Sequence, residues 1–417
     1  MKKWTLNGSD TSIVRNMGSL MSSQVINYIL PLITYPFLIR KIGLARFGEV
    51  QFVLTAMMFL NILIDYGFNY RAPKEVAILK KNPQELSCLV SRIIFFKLSI
   101  YAILSLGIFV YAFYISSQPV MLYIGGVVFL LNIALTPNWF FQGIERMEFI
   151  AGIDVVAKLL FTGLIFVFIR NAEDYVYVLP LWGLGGIISI VVGGVLIYTK
   201  YKIRFVQPEW KSIKFEIQEG YHLFIANLST LVLTNSQILL LGIYQGPVAV
   251  GIYSIAEKIA KIPWTLCGIF SNVIYPKVCV ESLTSLENVK LFLTNVMKKV
   301  LILVLVGVIF LLIFGHFIIS WFTKEEIISV NNVFRILVIS TIFVALNIPY
   351  NLTLLAYGRN KILMKIFIVV AIFNVIISNL SIILFGITGA AISHLTTVIV
   401  LLLLLYYRVT KIEKFAS

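Results

Sequence analysis

Charge, cysteine and histidine are all scarce in this chain of 417 residues, and each scarcity excludes something. Charged side chains make up only 13% of it, and 59% of the residues are hydrophobic, against roughly 45–50% in soluble domains. A soluble globular protein is thereby excluded. Three cysteines, at 88, 267 and 279, are too few and too scattered for a disulfide framework. Three histidines, His222, His316 and His394, fall on different apolar segments without metal-ligand spacing, so no metal or other catalytic constellation is legible and the chain does not read as an enzyme. Acids number 19 against 34 bases, which leaves few residues to build a cation-attracting cavity. Long extracytoplasmic loops are missing too: "SSQPV", "YQGPV" and "FGITG" barely turn the chain, where a polymerase or glycosyltransferase needs a catalytic loop.

What is present is a succession of apolar runs, each about 20 residues long and able to cross a hydrocarbon core. Twelve spans are expected, centred near Asn27, Met58, Leu104, Phe129, Leu160, Ser189, Thr234, Thr265, Ile309, Ala345, Phe373 and Ile399. The polar start, "MKKWTLNGSDTSIVRNMG", is followed by no small-residue cleavage site, so no cleavable signal peptide is expected. The net charge of +15 would suggest nucleic acid in a soluble protein, but here the bases follow the positive-inside rule. Those of segments 2–15, 71–92, 146, 200–214, 277–299, 359–365 and 408–414 fall on the side of both termini. Only Arg40, Lys41, Arg46, Arg170 and Lys324 fall on the other. Both termini are therefore expected in the cytoplasm, and nucleic acid is not expected as a partner.

The most hydrophilic interior stretch, "KYKIRFVQPEWKSIKFEIQEG" (Lys200 to Gly220), divides the chain nearly in half. Two six-helix lobes, 1–205 and 206–417, are expected from it. An offset of 203 places Gly43 and Gly48 on Gly246 and Gly251, and "NYRAPK" (69–74) on "NVIYPK" (272–277). Six spans per half make this repeat parallel, the plan of transporters whose lobes rock about a central site.

Polar residues recur inside the spans. At 100° per residue, Ser254, Glu257, Lys258, Lys261, Thr265, Gly268 and Asn272 share one face of the eighth span, with Ile255, Ile259, Ile262, Leu266 and Cys267 opposite. Glu257 lies ten residues from Pro247, or roughly 15 Å along a helix, about the bilayer midplane. A charge facing lipid there costs about 2.5–3.5 kcal/mol, so the stripe must face protein or water. Two readings stand: Glu257 and Lys261 neutralise each other across one turn, or the stripe lines a wet cavity. Matching stripes favour the cavity: Gln51, Thr55, Asn61, Asp65 and Asn69; Asn132, Thr136, Trp139 and Arg146; Asp154, Lys158 and Thr162; Ser23, Asn27 and Thr34; Asn227, Thr230 and Thr234. The midmembrane excess is basic, Lys158, Lys258 and Lys261 against Glu257 and Asp154, which suits an anionic cargo such as a phosphate. Lys97 and Arg335 are expected to snorkel to their membrane faces, and Asp65 to pair with Arg71 at a helix end.

Read together, "QVINYILPLITYPFLIRKIGLARFGEVQFV", "DYGFNYRAPKEVA", "PNWFFQGIERM", "VGIYSIAEKIAK" and "NVIYPKV" resemble, in order and over nearly the whole chain, the landmarks of the Wzx-type polysaccharide flippases. These are the O-antigen and capsule repeat-unit translocases of the multidrug/oligosaccharidyl-lipid/polysaccharide exporter superfamily. The resemblance implies an all-α, V-shaped, twelve-helix transporter of the bacterial inner membrane that works by alternating access. Its implied cargo is a short glycan on undecaprenyl pyrophosphate, carried to the periplasmic leaflet, with membrane lipid around it and a polysaccharide polymerase and chain-length regulator as candidate partners. "AEKIAKIP" is also similar to the eighth helix of lipid II flippases, where the base of an acid-base pair contacts the headgroup; this points to Lys258, with Glu257 its partner or gate. Candidate cargo contacts are thus Lys258, Lys261, Glu257, Lys158, Asn132, Arg146, Asn27 and Asn227. No cofactor is implied beyond a coupling ion, either H+ or Na+. Glu257, Asp154 and His394 are candidates for a proton, and Asn374 with Ser378, four apart, match part of a sodium site that some relatives build on the seventh, eleventh and twelfth helices. The rival readings are a multidrug antiporter of the same fold and a membrane enzyme of glycan assembly.

Overall fold

The computed structural model describes residues 30–208, 210–323 and 328–416. Among them the chain forms helices and no strand, in two compact units. The first holds residues up to Gly43 together with Val53–Asn227, and the second Leu44–Phe52 and Leu228–Ser417. The expected first span, centred on Asn27, lies outside the described residues except for its end in α1 (30–42).

α2 (Leu44–Asp65), whose start to Phe52 belongs to the second unit, gives way in the first unit to α3 (Phe68–Leu79) where Tyr66 and Gly67 take left-handed φ values of 43° and 84°. A side chain at Gly67 would meet Leu223 Cβ at 2.6 Å, so glycine is required twice over, for conformation and for space. α4 (Pro83–Tyr114) starts where the Asn82 carboxamide accepts from the backbone N–H groups of Gln84 and Glu85, with Pro83 at the first helical position. α5 (Val120–Leu135), the short α6 (Asn138–Gly143), α7 (Met147–Phe168), a 3-10 turn (Ala172–Tyr177) and α8 (Val178–Thr199) follow. An aromatic core of Phe68, Phe96, Trp139, Phe140 and Phe141 gathers α3, α4 and α6.

The hydrophilic stretch after α8 is tied down. Ser87 and Ser91 of α4 accept from the N–H groups of Arg204 and Val206, at 3.2 and 2.9 Å. In α9 (Trp210–Tyr244), Glu216 is fully buried between two arginines: its carboxylate pairs with Arg71 and, at 2.5 Å, with Arg92 Nε, while Glu75 bonds Arg71 at 2.9 Å. Tyr66 stacks on Phe224 at 4.9 Å. These contacts hold 206–227 to the first unit, and the units part inside α9.

The second unit adds α10 (Pro247–Ser282), α11 (Leu286–Thr323), α12 (Ile328–Ala356) and α13 (Asn360–Ala416). Gly386, at φ 58° and ψ −134°, breaks α13 into limbs 360–385 and 387–416. Asn374 bonds Thr397 and Ser378 bonds Ser393, both pairs symmetric about that break, so the limbs form an antiparallel hairpin.

The offset-203 glycines carry matching geometry. Gly43 and Gly246, each preceding a helix, have φ/ψ of 81°/165° and 79°/−175°. A side chain at Gly48 would strike the Pro247 carbonyl, and one at Gly251 would meet the Leu44 carbonyl at 2.5 Å; since 44 and 48 shift to 247 and 251, the contact is reciprocal. Two helix starts therefore cross backbone to backbone about a local two-fold. Gly48→Ala is expected to lower the melting temperature in detergent, by an overpacking cost of about 1–3 kcal/mol, because backbone cannot yield as a side-chain tip can. Gly152→Ala, with nothing within 4 Å, is the matched control and is expected to be neutral or stabilising.

Nine helices among the described residues are long and apolar enough to cross a membrane. α10 is not among them, and Glu257, Lys258 and Lys261 crowd its middle; α13 is one of the nine although its limbs are two.

Candidate functional site

Among the described residues, two of the polar clusters line a cavity, one in each unit. In the first unit a cavity of about 200 Å³ lies between α5, α7 and α8, lined by Asn132, Thr136, Asp154, Lys158, Trp182 and Ser189 among others. α7 sets Asp154 and Lys158 one turn apart, and their Oδ2 and Nζ atoms meet at 2.5 Å. α5 ends at Thr136, whose hydroxyl lies 2.7 Å from the Asn132 carbonyl and 2.8 Å from its Oδ1. Gly186 of α8 makes room for that carboxamide, since a side chain there would collide with it. Trp182, one turn before, stacks on Phe161 at 5.1 Å and meets Phe129 edge-on at 5.5 Å. The wall thus offers amides, hydroxyls, one ion pair and an indole.

In the second unit Glu257, only 4% exposed, bonds Lys261 Nζ at 2.8 Å. Lys261 also donates to the Thr234 carbonyl at 3.3 Å and sits 5.5 Å from the centre of the Trp264 ring, which in turn lies 5.8 Å from buried His394. Ser340 and Thr341 close the group, with Thr341 donating to the Ala260 carbonyl at 3.4 Å. The space enclosed is about 10 Å³, at the lower limit for a single water.

The expected residues divide accordingly. Glu257, Lys261 and His394 are brought together, as are Asn132, Asp154 and Lys158. Lys258 is half-buried beside Glu257 but outside the lining of that group. Arg146 is exposed at the start of α7, bonded to Glu148 at 3.1 Å, and Asn227, half-buried on α9, lines neither place. Asn27 lies outside the described residues. Asn374 and Ser378 are wholly buried in a neutral network: Ser236 donates to Asn374 at 2.6 Å, Asn374 to Thr397 at 3.0 Å, and the Ser378 and Ser393 hydroxyls meet at 3.0 Å. No cluster of three or more His, Cys, Asp or Glu side chains placed to hold a metal exists among the described residues.

Along the polar stripe of α10, Ser254 and Glu257 are buried, Lys258, Lys261 and Thr265 half-buried and Gly268 and Asn272 exposed, whereas Ile255, Ile259 and Cys267 opposite are buried. Two expectations change. Asp65 pairs with Lys97 at 3.0 Å, not with Arg71, since the left-handed turn at Tyr66 and Gly67 redirects the chain between them. Lys97 does not snorkel: it is 1% exposed and 5.9 Å from the Phe68 ring centre. Sequence reasoning missed Trp182, Trp264 and Glu216. A tryptophan three residues after Lys261 was the available signal for the second, as i and i+3 side chains meet on a helix.

Residues 13–279 match the family model described as "Polysaccharide biosynthesis protein". Two proteins called "Putative O-antigen transporter" are similar to the chain. The one from Escherichia coli (strain K12) is 23% identical over 66% of each chain, and the one from Shigella dysenteriae 24% identical over 90% of this chain and 95% of its own. Among solved structures, a multidrug resistance MATE family transporter of the MOP superfamily, inward-facing, superposes with a TM-score of 0.76 at 14% identity, over 93% of this chain and 96% of that one. Lipid II flippase MurJ, inward closed, gives 0.70 at 15% identity, over 94% and 87%. The fold is therefore the all-α fold of these transporters.

Proposed function

The chain belongs to the polysaccharide biosynthesis protein family, and from that premise we propose that it is a flippase for undecaprenyl-pyrophosphate-linked oligosaccharide repeat units. It works in the bacterial inner membrane, with both termini cytoplasmic, and moves cargo from the cytoplasmic to the periplasmic leaflet by alternating access of lobes 1–205 and 206–417. The relatives called O-antigen transporters and the likeness to a lipid II flippase support a lipid-linked glycan as the cargo class. The observation that carries the reading furthest is the lining of the first-unit cavity. Asn132, Thr136, Ser189 and Asn138 supply neutral donors and acceptors and Trp182 an aromatic face, the groups that recognise sugar hydroxyls and ring C–H surfaces.

Pairing reduces the basic excess, because Lys158 and Lys261 each hold a carboxylate one turn away. In this mechanism the pyrophosphate competes with Glu257 for the Lys261 ammonium group, with Lys258 the neighbouring base on the same helix. A carboxylate released from its lysine is free to take a proton, which makes Glu257 and its neighbour His394 the coupling groups. The neutral Asn374 and Ser378 network offers sodium no carboxylate. The polymerase and chain-length regulator of the same assembly line are its proposed partners.

Supplied to cells that lack their own repeat-unit flippase, the chain is expected to restore surface glycan. Trp182→Leu is expected to reduce that glycan about two- to tenfold at equal membrane level, the worth of an aromatic stacking contact. Unchanged surface glycan in the variant would remove the cavity from the cargo path. Altered resistance to cationic drugs in place of restored glycan would favour the multidrug reading.

A further inference from the structure

The cavity of the first unit is layered. α5, α7 and α8 each supply one residue at three successive levels, spaced three or four residues, or about one turn, along each helix. At one end Phe129, Phe161 and Trp182 form an aromatic layer, with the indole stacked on Phe161 at 5.1 Å and edge-on to Phe129 at 5.5 Å. At the other, Thr136, Asp154 and Ser189 form a polar layer, where the exposed Asn69 and Asn138 join the lining. Between the two stand Asn132, Lys158 and Gly186.

The middle layer is preorganised. The Thr136 hydroxyl, 2.8 Å from Asn132 Oδ1, fixes the carboxamide, and Gly186 leaves the space that its Nδ2 occupies, where any side chain would collide with it. Lys158 turns to Asp154 at 2.5 Å. Among the described residues Asn132 Nδ2 has no protein acceptor, so a held amide offers its N–H donors one turn from the aromatic layer. The volume, about 200 Å³, lies below the roughly 300–1,000 Å³ of sites for drug-sized molecules, so the space admits one sugar ring of a chain and not several.

We propose that this cavity selects a pyranose ring carrying an N-acetyl group, with Asn132 as the specificity-determining residue and Gly186 as the residue that positions it; the proposal rests on glycan as the cargo class read above. The acetamido carbonyl accepts from Asn132 Nδ2, the acetyl methyl lies against the indole in the aromatic layer, and ring hydroxyls meet Thr136 and Ser189. A ring bearing hydroxyls alone would set one of them against two phenyl rings that cannot replace its bonds to water. A 6-deoxy ring brings a methyl group without the amide carbonyl beside it. The acetamido group matches both layers at once.

Water-soluble methyl glycosides test the site on the detergent-purified full chain by ligand-observed saturation-transfer NMR. The glycosides of N-acetylglucosamine and N-acetylgalactosamine are compared with those of glucose and galactose. In at least one pair the N-acetyl glycoside is expected to bind about tenfold more tightly, with its acetyl methyl protons saturated most strongly. Asn132→Leu, which removes the amide at similar volume, is expected to bring the ratio near unity. Gly186→Ala keeps every polar group of the lining but displaces the carboxamide, and is expected to do the same in a chain whose melting temperature shows it folded. Equal binding within both pairs, no binding, tighter binding of a 6-deoxy glycoside, or a preference that survives in both variants would overturn the proposal. Leaflet exchange of lipid-linked glycan by the same preparation keeps the two readings apart. Exchange without the preference overturns this inference and leaves the flippase reading standing, whereas the preference without exchange contradicts the flippase reading and leaves the sugar site.

Discussion

Lys261→Met is expected to cut flipping of lipid-linked oligosaccharide by about 30-fold or more, the loss that follows when one partner of a buried charged pair is truncated. The substitution leaves Glu257 buried opposite a thioether, so stability falls as well, and loss of transport by itself would not separate the two causes. Glu257→Gln in the same chain separates them. The double variant removes both charges and keeps the shapes, so its melting temperature is expected to return close to that of the wild type. If the pair serves transport, flipping stays lost when stability returns. If flipping returns with stability, the pair is a structural neutralisation of the kind an i, i+4 acid and base provide, and the headgroup site has to be sought at Lys158.

The second large effect lies in the first unit. Asp65→Asn is expected to destabilise the protein by about 3–5 kcal/mol, because Lys97, 1% exposed, loses the carboxylate at 3.0 Å that neutralises it. Adding Lys97→Met is expected to recover most of that loss, since a packed thioether needs no partner. Thermal unfolding in detergent of the two single variants and the double variant gives the coupling directly. Additive effects would mean that the two side chains act independently in spite of their distance.

Much of this architecture is legible in the sequence because it rests on local rules. Apolar runs of span length, Pro83 after Asn82, and glycines before α2 and α10 are determined by residues near one another in the chain. The offset of 203 is legible for the same reason, and the structure adds that Gly48 and Gly251 meet in a reciprocal backbone crossing, which a linear alignment does not contain. The ion pairs fall into two groups. Glu257 with Lys261 and Asp154 with Lys158 are one turn apart and can be read as pairs on a helical wheel. Asp65 with Lys97, and Glu216 with Arg71 and Arg92, join different helices, and the direction of each depends on the left-handed turn at Tyr66 and on how the start of α9 packs. Trp182 escaped notice for a related reason: in a sequence this rich in aromatics, only the packing of α8 against α5 and α7 shows which indole faces a polar cavity.

The measurement that tests the central claim most directly is leaflet exchange in proteoliposomes holding the purified chain and an oligosaccharide-pyrophosphoryl-undecaprenol, scored with a membrane-impermeant probe of the glycan. The expected result is exposure of the glycan on the second leaflet at a rate that the wild type supports and the Lys261→Met, Glu257→Gln double variant, folded and inserted, does not. Exchange no faster than in protein-free vesicles, while the same preparation transports a cationic dye, would contradict the account.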